Sequence, residues 1–219
     1  MTQYWLVDFD ETLAQASISW AFETAFPKLI EEHQLSSDQD RLNIAVMAAQ
    51  EKAARDLSPQ LIVHELFETM GWPQHLEEPF LKDVIANYRP ILFDDALPFL
   101  EKLRQAGKHI VLLSNNRLTH RSVEVLGIQP YLSAVYTPAL FPGVPLKPHP
   151  DFWAHIQAAD PSIQPDNTVM VGDDPWSDGM FAQNCGLRCW IVDRYNRLAT
   201  APLGMSHIRV RSLLDIVVQ

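Results

Sequence analysis

The sequence predicts an α/β fold, a mostly parallel sheet with helices on both faces, interrupted by one all-helical insertion. Three observations predict it. Short apolar runs that end in acidic or polar residues recur along the chain. Segments with helical apolar spacing lie between them. After the first run, about 70 residues carry helical spacing and no strand pattern.

The first run, residues 4–9, is short, partly aromatic and β-branched, and meets acids at Asp8 and Asp10. It reads as a buried strand. From residue 18 to residue 88 apolar side chains recur at three- and four-residue spacing: Trp20, Phe22 and Phe26; Ala45, Ala48 and Ala49; Ile62, Leu66 and Phe67; Phe80, Leu81 and Val84. That spacing lines one side of a helix. Pro59, Gly71, Pro73 and Pro79 divide the block into three or four helices. The expected organisation is a core domain of residues 1–16 and 89–219, and a helical domain of residues 17–88.

The alternation resumes beyond the block. A helix over Ala96–Gln105, with Leu97, Leu100 and Leu103 as its stripe and Gly107 past its end, leads into a strand at His109–Leu113. A helix over 119–126 stops before Gly127, and a weak strand follows at Ala134–Tyr136. A helix over Pro150–Ala159 precedes a strand over 168–171. A helix over 177–184, a strand over 187–192 and a weak strand at His207–Val210 complete the pattern. Strands separated by helices run parallel, and open parallel sheets bind ligands beyond the carboxyl ends of their strands. That edge would collect Asp8 and Asp10, Ser114 and Asn115, and Asp173 and Asp174, although they are far apart in the chain.

The chain has 219 residues, 47 % hydrophobic and 20 % charged, which is ordinary for a globular protein. Its net charge of −10 disfavours nucleic acid and anionic membrane as partners. An anionic small molecule remains compatible where a cation and a lysine invert the local field. No basic stretch leads into an apolar one at the start, and no run approaches the length of a membrane span, so a cytoplasmic location is expected. Cys185 and Cys189 read as buried small residues in a reducing compartment.

Asp8 and Asp10 point the same way if the two-residue period of the strand persists. Neighbouring carboxylates repel unless a cation lies between them or one holds a proton. Both conditions suit phosphoryl transfer: Asp8 would attack phosphorus, and Asp10 would protonate the leaving oxygen and then deprotonate water. An acid-rich surface turn is the plainer alternative. The Ser114 hydroxyl can donate to a phosphoryl oxygen or cap the next helix, and Asn115 most simply holds its loop together. Lys147, within Leu146-Lys147-Pro148-His149-Pro150, supplies a cation on a proline-stiffened loop. Asp173, Asp174 and Asp178 crowd carboxylates after a glycine, and hard oxygen ligands suit Mg²⁺. The alternative there is a turn in which Asp174 caps a helix.

In this order and beside these strands, the segments resemble the four motifs of the haloacid dehalogenase superfamily. Asp8-Phe9-Asp10-Glu11-Thr12 is similar to motif one and Ser114-Asn115 to motif two. Lys147-Pro148 with Pro150 and Phe152 is similar to motif three, and Gly172-Asp173 with Asp178 to motif four. The resemblance spans nearly the whole chain. It implies a Rossmann-like core, a helical cap of the first type that closes over the cleft and contacts substrate, Mg²⁺ as cofactor, and a small phosphorylated metabolite as substrate. It implies Asp8 as nucleophile and metal ligand, and Asp10 as general acid and base with its carbonyl on the metal. It implies Ser114, Asn115 and Lys147 around the phosphoryl group, Asp173 on the metal, Asp174 or Asp178 completing the outer coordination, and Thr12 bracing the nucleophile loop.

Asp10 argues for phosphate esters over haloacids, because a halide leaves without a proton whereas an alkoxide needs one. The expected activity is Mg²⁺-dependent hydrolysis of a small phosphate monoester through an aspartyl-phosphate. The alternatives are a sugar-phosphate mutase using the same nucleophile, or a low-activity binding or regulatory protein of the same fold. Glu11 departs from the motif, where glycine is usual, and its side chain is expected to turn into solvent. Lys28, Arg41, Lys52 and Arg55 are candidate substrate contacts or plain surface, and Trp20 and Phe22 are candidate contacts or core of the helical domain. Trp176 either lines the cleft mouth or packs beneath its loop.

Overall fold

The computed structural model describes residues 3–38, 40–42, 44–45, 59–117, 119–141, 143–196, 198, 204 and 207–218. The chain forms two compact units, residues 1–15 with 90–219, and residues 16–89.

The first unit is built on a six-stranded sheet: β1 (Tyr4–Val7), β2 (His109–Leu113), β3 (Ala134–Tyr136), β4 (Thr168–Gly172), β5 (Arg188–Val192) and β6 (His207–Val210). The order is β3-β2-β1-β4-β5-β6, and every pairing is parallel. The chain builds outward from β1 to one side through β2 and β3, and to the other through β4, β5 and β6. Strand order therefore reverses between β1 and β4, where an open sheet leaves its ligand crevice.

Alternation along the strands sorts side chains between two cores. Trp5 and Val7 of β1, Ile110 and Leu112 of β2, and Val169 and Val171 of β4 face one layer. The helix Ala96–Gln105 covers that layer with Ala96, Phe99, Leu100 and Leu103. Leu97 of the expected stripe is instead 43 % exposed. Phe99 takes the core position, because a helix turned by 100° per residue places residues 96, 99, 100 and 103 on one face. Each such buried aliphatic or aromatic side chain contributes about 1.5–3 kcal/mol. Tyr4, Leu6, Val111, Leu113 and Met170 face the opposite layer, against Phe152, Trp153 and Ile156 of the helix Pro150–Ala159 and Phe181 of Met180–Asn184. Cys185 and Cys189 are free thiols in that second core.

The first strand stops at Val7, and Asp8 continues it only through its N–H to the Val171 carbonyl at 2.9 Å. The helix expected over 177–184 starts as a π turn at Pro175–Gly179 before Met180–Asn184. Pro175 at its first position and the Asp174 side chain bonded to the Trp176 N–H start it early.

The second unit runs through Ser17–Trp20, a π turn at Ala21–Ala25 and Phe26–His33, then Pro59–Met70 and Glu77–Asn87. Its own core holds Phe26 stacked on Phe80 at 4.6 Å and Phe67 edge-on to Trp72 at 5.3 Å. Trp20 and Phe22 pack against this core. Lys28 pairs with Asp83 at 3.3 Å, and Arg41 donates to the Thr69 carbonyl at 2.7 Å. Ala48, Ala49, Lys52 and Arg55 lie outside the described residues. No described helix is long and apolar enough to cross a membrane.

Candidate active site

The carboxyl ends of β1, β2 and β4 bring Asp8, Ser114 and Asp173 to one edge, since Val7 pairs with both Leu112 and Val171. Asp8 is buried, with Oδ1 accepting from Lys147 Nζ at 2.7 Å and Oδ2 from Thr12 Oγ1 at 3.2 Å. The Thr12 hydroxyl also lies 3.5 Å from Asp173 Oδ1. Lys147 Nζ reaches a second carboxylate, Asp178 Oδ1, at 2.5 Å. Carboxylate oxygens of Asp8, Asp173 and Asp178 lie within 4.8 Å of one another.

Three carboxylates so close repel strongly, and their environment records it. Burial pushes the Asp8 carboxyl up to about 8, with Lys147 working against it and Asp178 and Asp10 adding to it. Burial likewise raises Asp173 well above the usual carboxylate range, helped by the charges of Asp8 and Asp178. Burial alone would lower Lys147, but Asp178 and Asp8 outweigh it and hold its ammonium charged. A divalent cation bound by hard oxygens relieves this repulsion, so the donor set fits such an ion.

Asp10 sits beside the cluster. Its Oδ1 accepts from Asn116 Nδ2 at 3.2 Å, and its Oδ2 lies 3.5 Å from Ser114 Oγ. Burial raises its carboxyl to about 6, with the Asn116 bond opposing the shift. Ser114 is buried, and its hydroxyl accepts from the Asn116 N–H and from Thr119 Oγ1.

Asn115 and Asp174 take the plainer of the two roles that the sequence leaves open for each. The Asn115 amide clasps the Lys147 backbone, donating to its carbonyl at 2.9 Å and accepting from its N–H at 3.1 Å. This is the loop-holding arrangement. The Asp174 carboxylate caps the following turn at the Trp176 N–H, 2.8 Å away, and stands outside the three-carboxylate group. Asp178 belongs to that group, and its Oδ2 accepts from the Asp174 N–H at 3.2 Å. A Cβ on Gly172 would come within 2.1 Å of Asp178 Oδ2, so this carboxylate can approach only because residue 172 is glycine.

Glu11 corrects an expectation. It holds a left-handed backbone, φ 58°, and one of its carboxylate oxygens is buried rather than turned into solvent. Its charge raises both Asp10 and Asp173. In a left-handed backbone a Cβ crowds the following carbonyl oxygen, which is why glycine suits this turn. Trp176 is 61 % exposed, so it does not pack beneath its loop.

Sequence reasoning missed Asn116, which touches Asp10, and the pair Arg194–Asp95 behind the loop. Asn116 adjoins Ser114-Asn115, and an amide there was the available signal. Arg194 and Asp95 lie outside every motif.

The fold and the site together define a class: a parallel α/β protein whose strand ends gather a buried lysine and several carboxylates. A model of the haloacid dehalogenase-like hydrolases matches residues 5–186, and the chain belongs to that family. Among solved structures it is similar to YfnB of Bacillus subtilis in a form bound to magnesium, at 16 % identity and TM-score 0.74, covering 98 % of this chain and 96 % of that one. It is similar to a HAD phosphatase from Thermococcus onnurineus, 19 % identical with TM-score 0.59 over 98 % and 95 % of the two chains. It is similar also to the L-2-haloacid dehalogenase of Xanthobacter autotrophicus, 20 % identical with TM-score 0.64 over 98 % and 96 %. No curated protein matches by sequence.

Proposed function

We propose that the chain is a Mg²⁺-dependent phosphatase that hydrolyses a small-molecule phosphate monoester through an aspartyl-phosphate on Asp8. The observation that carries this reading is Asp10. Its carboxyl, raised to about 6 and held by Asn116 and Ser114, is poised to exchange a proton near neutral pH. Ester cleavage needs that proton for its leaving oxygen, and halide departure does not.

Asp8 is held for in-line attack by Lys147 on one oxygen and Thr12 on the other. Asp10 gives its proton to the departing alkoxide, then takes one from the water that attacks the acyl phosphate. Ser114 and Lys147 bind the phosphoryl oxygens, and Asn115 holds the Lys147 backbone in place. Mg²⁺ held by Asp8, Asp173 and the Asp10 carbonyl would offset the negative charge of the transferring group, with Asp178 supporting Lys147. Residues 16–89 are assigned the role of the cap and the choice of substrate.

The test is release of inorganic phosphate from para-nitrophenyl phosphate with Mg²⁺, compared with Asp8→Asn. Release by the wild type alone supports the reading. Equal rates in both proteins, or halide release from a 2-haloacid with no phosphate release, overturn it. A sugar monophosphate returned as its isomer would move the chain to the mutases.

A further inference from the structure

Behind the nucleophile loop lies a clamp that the proposed chemistry does not yet use. Arg194 follows β5. Its Nη2 donates to the Thr12 carbonyl at 2.6 Å, and its Nε to the Glu11 carbonyl at 3.4 Å. The guanidinium carbon lies 4.1 Å from the centre of the Phe93 ring. Asp95 Oδ2 receives its Nη1 at 2.7 Å, and also accepts from Ser212 Oγ at 2.6 Å and the Leu213 N–H at 2.9 Å. The planar fork is thus held on its face by an aromatic ring and at one edge by a carboxylate that is itself fixed. Its remaining donors meet two consecutive carbonyls of the turn that follows Asp10.

That turn contains the left-handed Glu11. An L-residue there is strained, and one of its carboxylate oxygens is buried with its charge felt at Asp10 and Asp173. Within the loop the Glu11 N–H donates to the Ala14 carbonyl at 2.7 Å and the Leu13 N–H to the Phe9 carbonyl at 2.9 Å, so Arg194 adds the tie from outside to a turn that carries this strain. We infer that Arg194, braced by Asp95, is a positioning residue that holds the Glu11 turn and so sets the spacing of Asp8 and Asp10, doing by hydrogen bonding what a glycine would do by conformational freedom. The inference rests on the hydrolase reading above for its catalytic consequence, and on the backbone bonds alone for its structural one. Lysine could not replace this arginine, since a single ammonium cannot meet two carbonyls and a carboxylate while lying flat on a ring.

The experiment compares wild type, Arg194→Met, Arg194→Lys, Glu11→Gly and the double variant Glu11→Gly/Arg194→Met. The readouts are kcat and KM for para-nitrophenyl phosphate with Mg²⁺, and thermal melting without substrate. Arg194→Met should lower kcat on the order of 10- to 100-fold through misplacement of the reacting groups, and change KM by less than about threefold. Arg194→Lys should recover only part of the loss. In the Glu11→Gly background, Arg194→Met should cost several-fold less than in wild type, about one-third of the loss or smaller. An equal fold-loss in both backgrounds, or a lowered melting temperature with kcat unchanged, overturns the inference. Should Arg194→Met fail to fold, Asp95→Asn, which loosens the clamp while keeping the guanidinium, carries the same comparison. Wild type inert toward phosphate esters would defeat the proposed function by itself. The coupling is then read from melting: a smaller drop on Arg194→Met with glycine at residue 11 supports the clamp, and an equal drop overturns it.

Discussion

Replacing Lys147 by methionine would leave Asp8 and Asp178 facing each other with no ammonium between them. The lysine is buried, 2.7 Å from Asp8 Oδ1 and 2.5 Å from Asp178 Oδ1. At an effective dielectric constant near 20, each contact is worth about 6 kcal/mol of attraction. The two carboxylates, with oxygens within 4.8 Å, repel by at least about 3.5 kcal/mol on the same scale. Desolvation of three buried ions takes back much of the attraction, and removing one partner of such a buried assembly costs about 3–5 kcal/mol net. For a domain of this size that is a drop of roughly 8–15 °C in melting temperature. The loss has a pH signature. Without the lysine, Asp8 binds its proton still more tightly, so its charge and the repulsion it causes vanish at low pH and the deficit is larger at about pH 8 than at about pH 5. Excess Mg²⁺ reduces it by supplying positive charge to the same oxygens. The assay is thermal melting of Lys147→Met and wild type at both pH values, with chelator and with Mg²⁺. Melting within about 2 °C of wild type at pH 8 in chelator, or a deficit independent of pH, would refute this reasoning.

Gly172→Ala should be damaging out of proportion to one methyl group, because the new Cβ meets Asp178 Oδ2 at 2.1 Å and Cγ at 2.2 Å. Displacing Asp178 breaks its hold on Lys147, so we expect kcat to fall about 100-fold or more, with a stability loss of about 1–3 kcal/mol. Wild-type turnover in this variant would contradict the packing. Metal-free protein should lose stability with rising pH through its acids. Asp8 and Asp10 are raised from 3.8 to about 8 and about 6, so their protonated forms stabilise the fold below the unfolded value, and that contribution disappears as pH climbs through the folded values. Urea unfolding without metal should therefore show the advantage of Asp8→Asn over wild type widening from about pH 5 to about pH 8. Mg²⁺ at about 100 times its dissociation constant should return roughly 2.7 kcal/mol to wild type. A constant gap across that range would count against the buried carboxylates as its source.

Much of this protein is legible in local pattern. Alternation of two places Trp5 and Val7 in one core and Tyr4 and Leu6 in the other, and burial of both faces makes β1 a continuous apolar run. Because parallel strands all end at one edge, an acid or hydroxyl that follows a strand is placed there by topology, as Asp8, Ser114 and Asp173 are. Spacing in sequence therefore determined the fold class and which residues could meet. Only tertiary structure decided how they meet. It turned Phe99 inward and Leu97 outward, gave Asp178 rather than Asp174 to the carboxylate group, spent the Asn115 amide on the Lys147 backbone, and buried one carboxylate oxygen of Glu11. It also set Arg194 against carbonyls 182 and 183 residues away. Periodicity reports which way a side chain points from its own backbone. Hydrogen bonds and ion pairs depend on distances between separate segments to within a few tenths of an ångström, and those are set only when the two cores have packed.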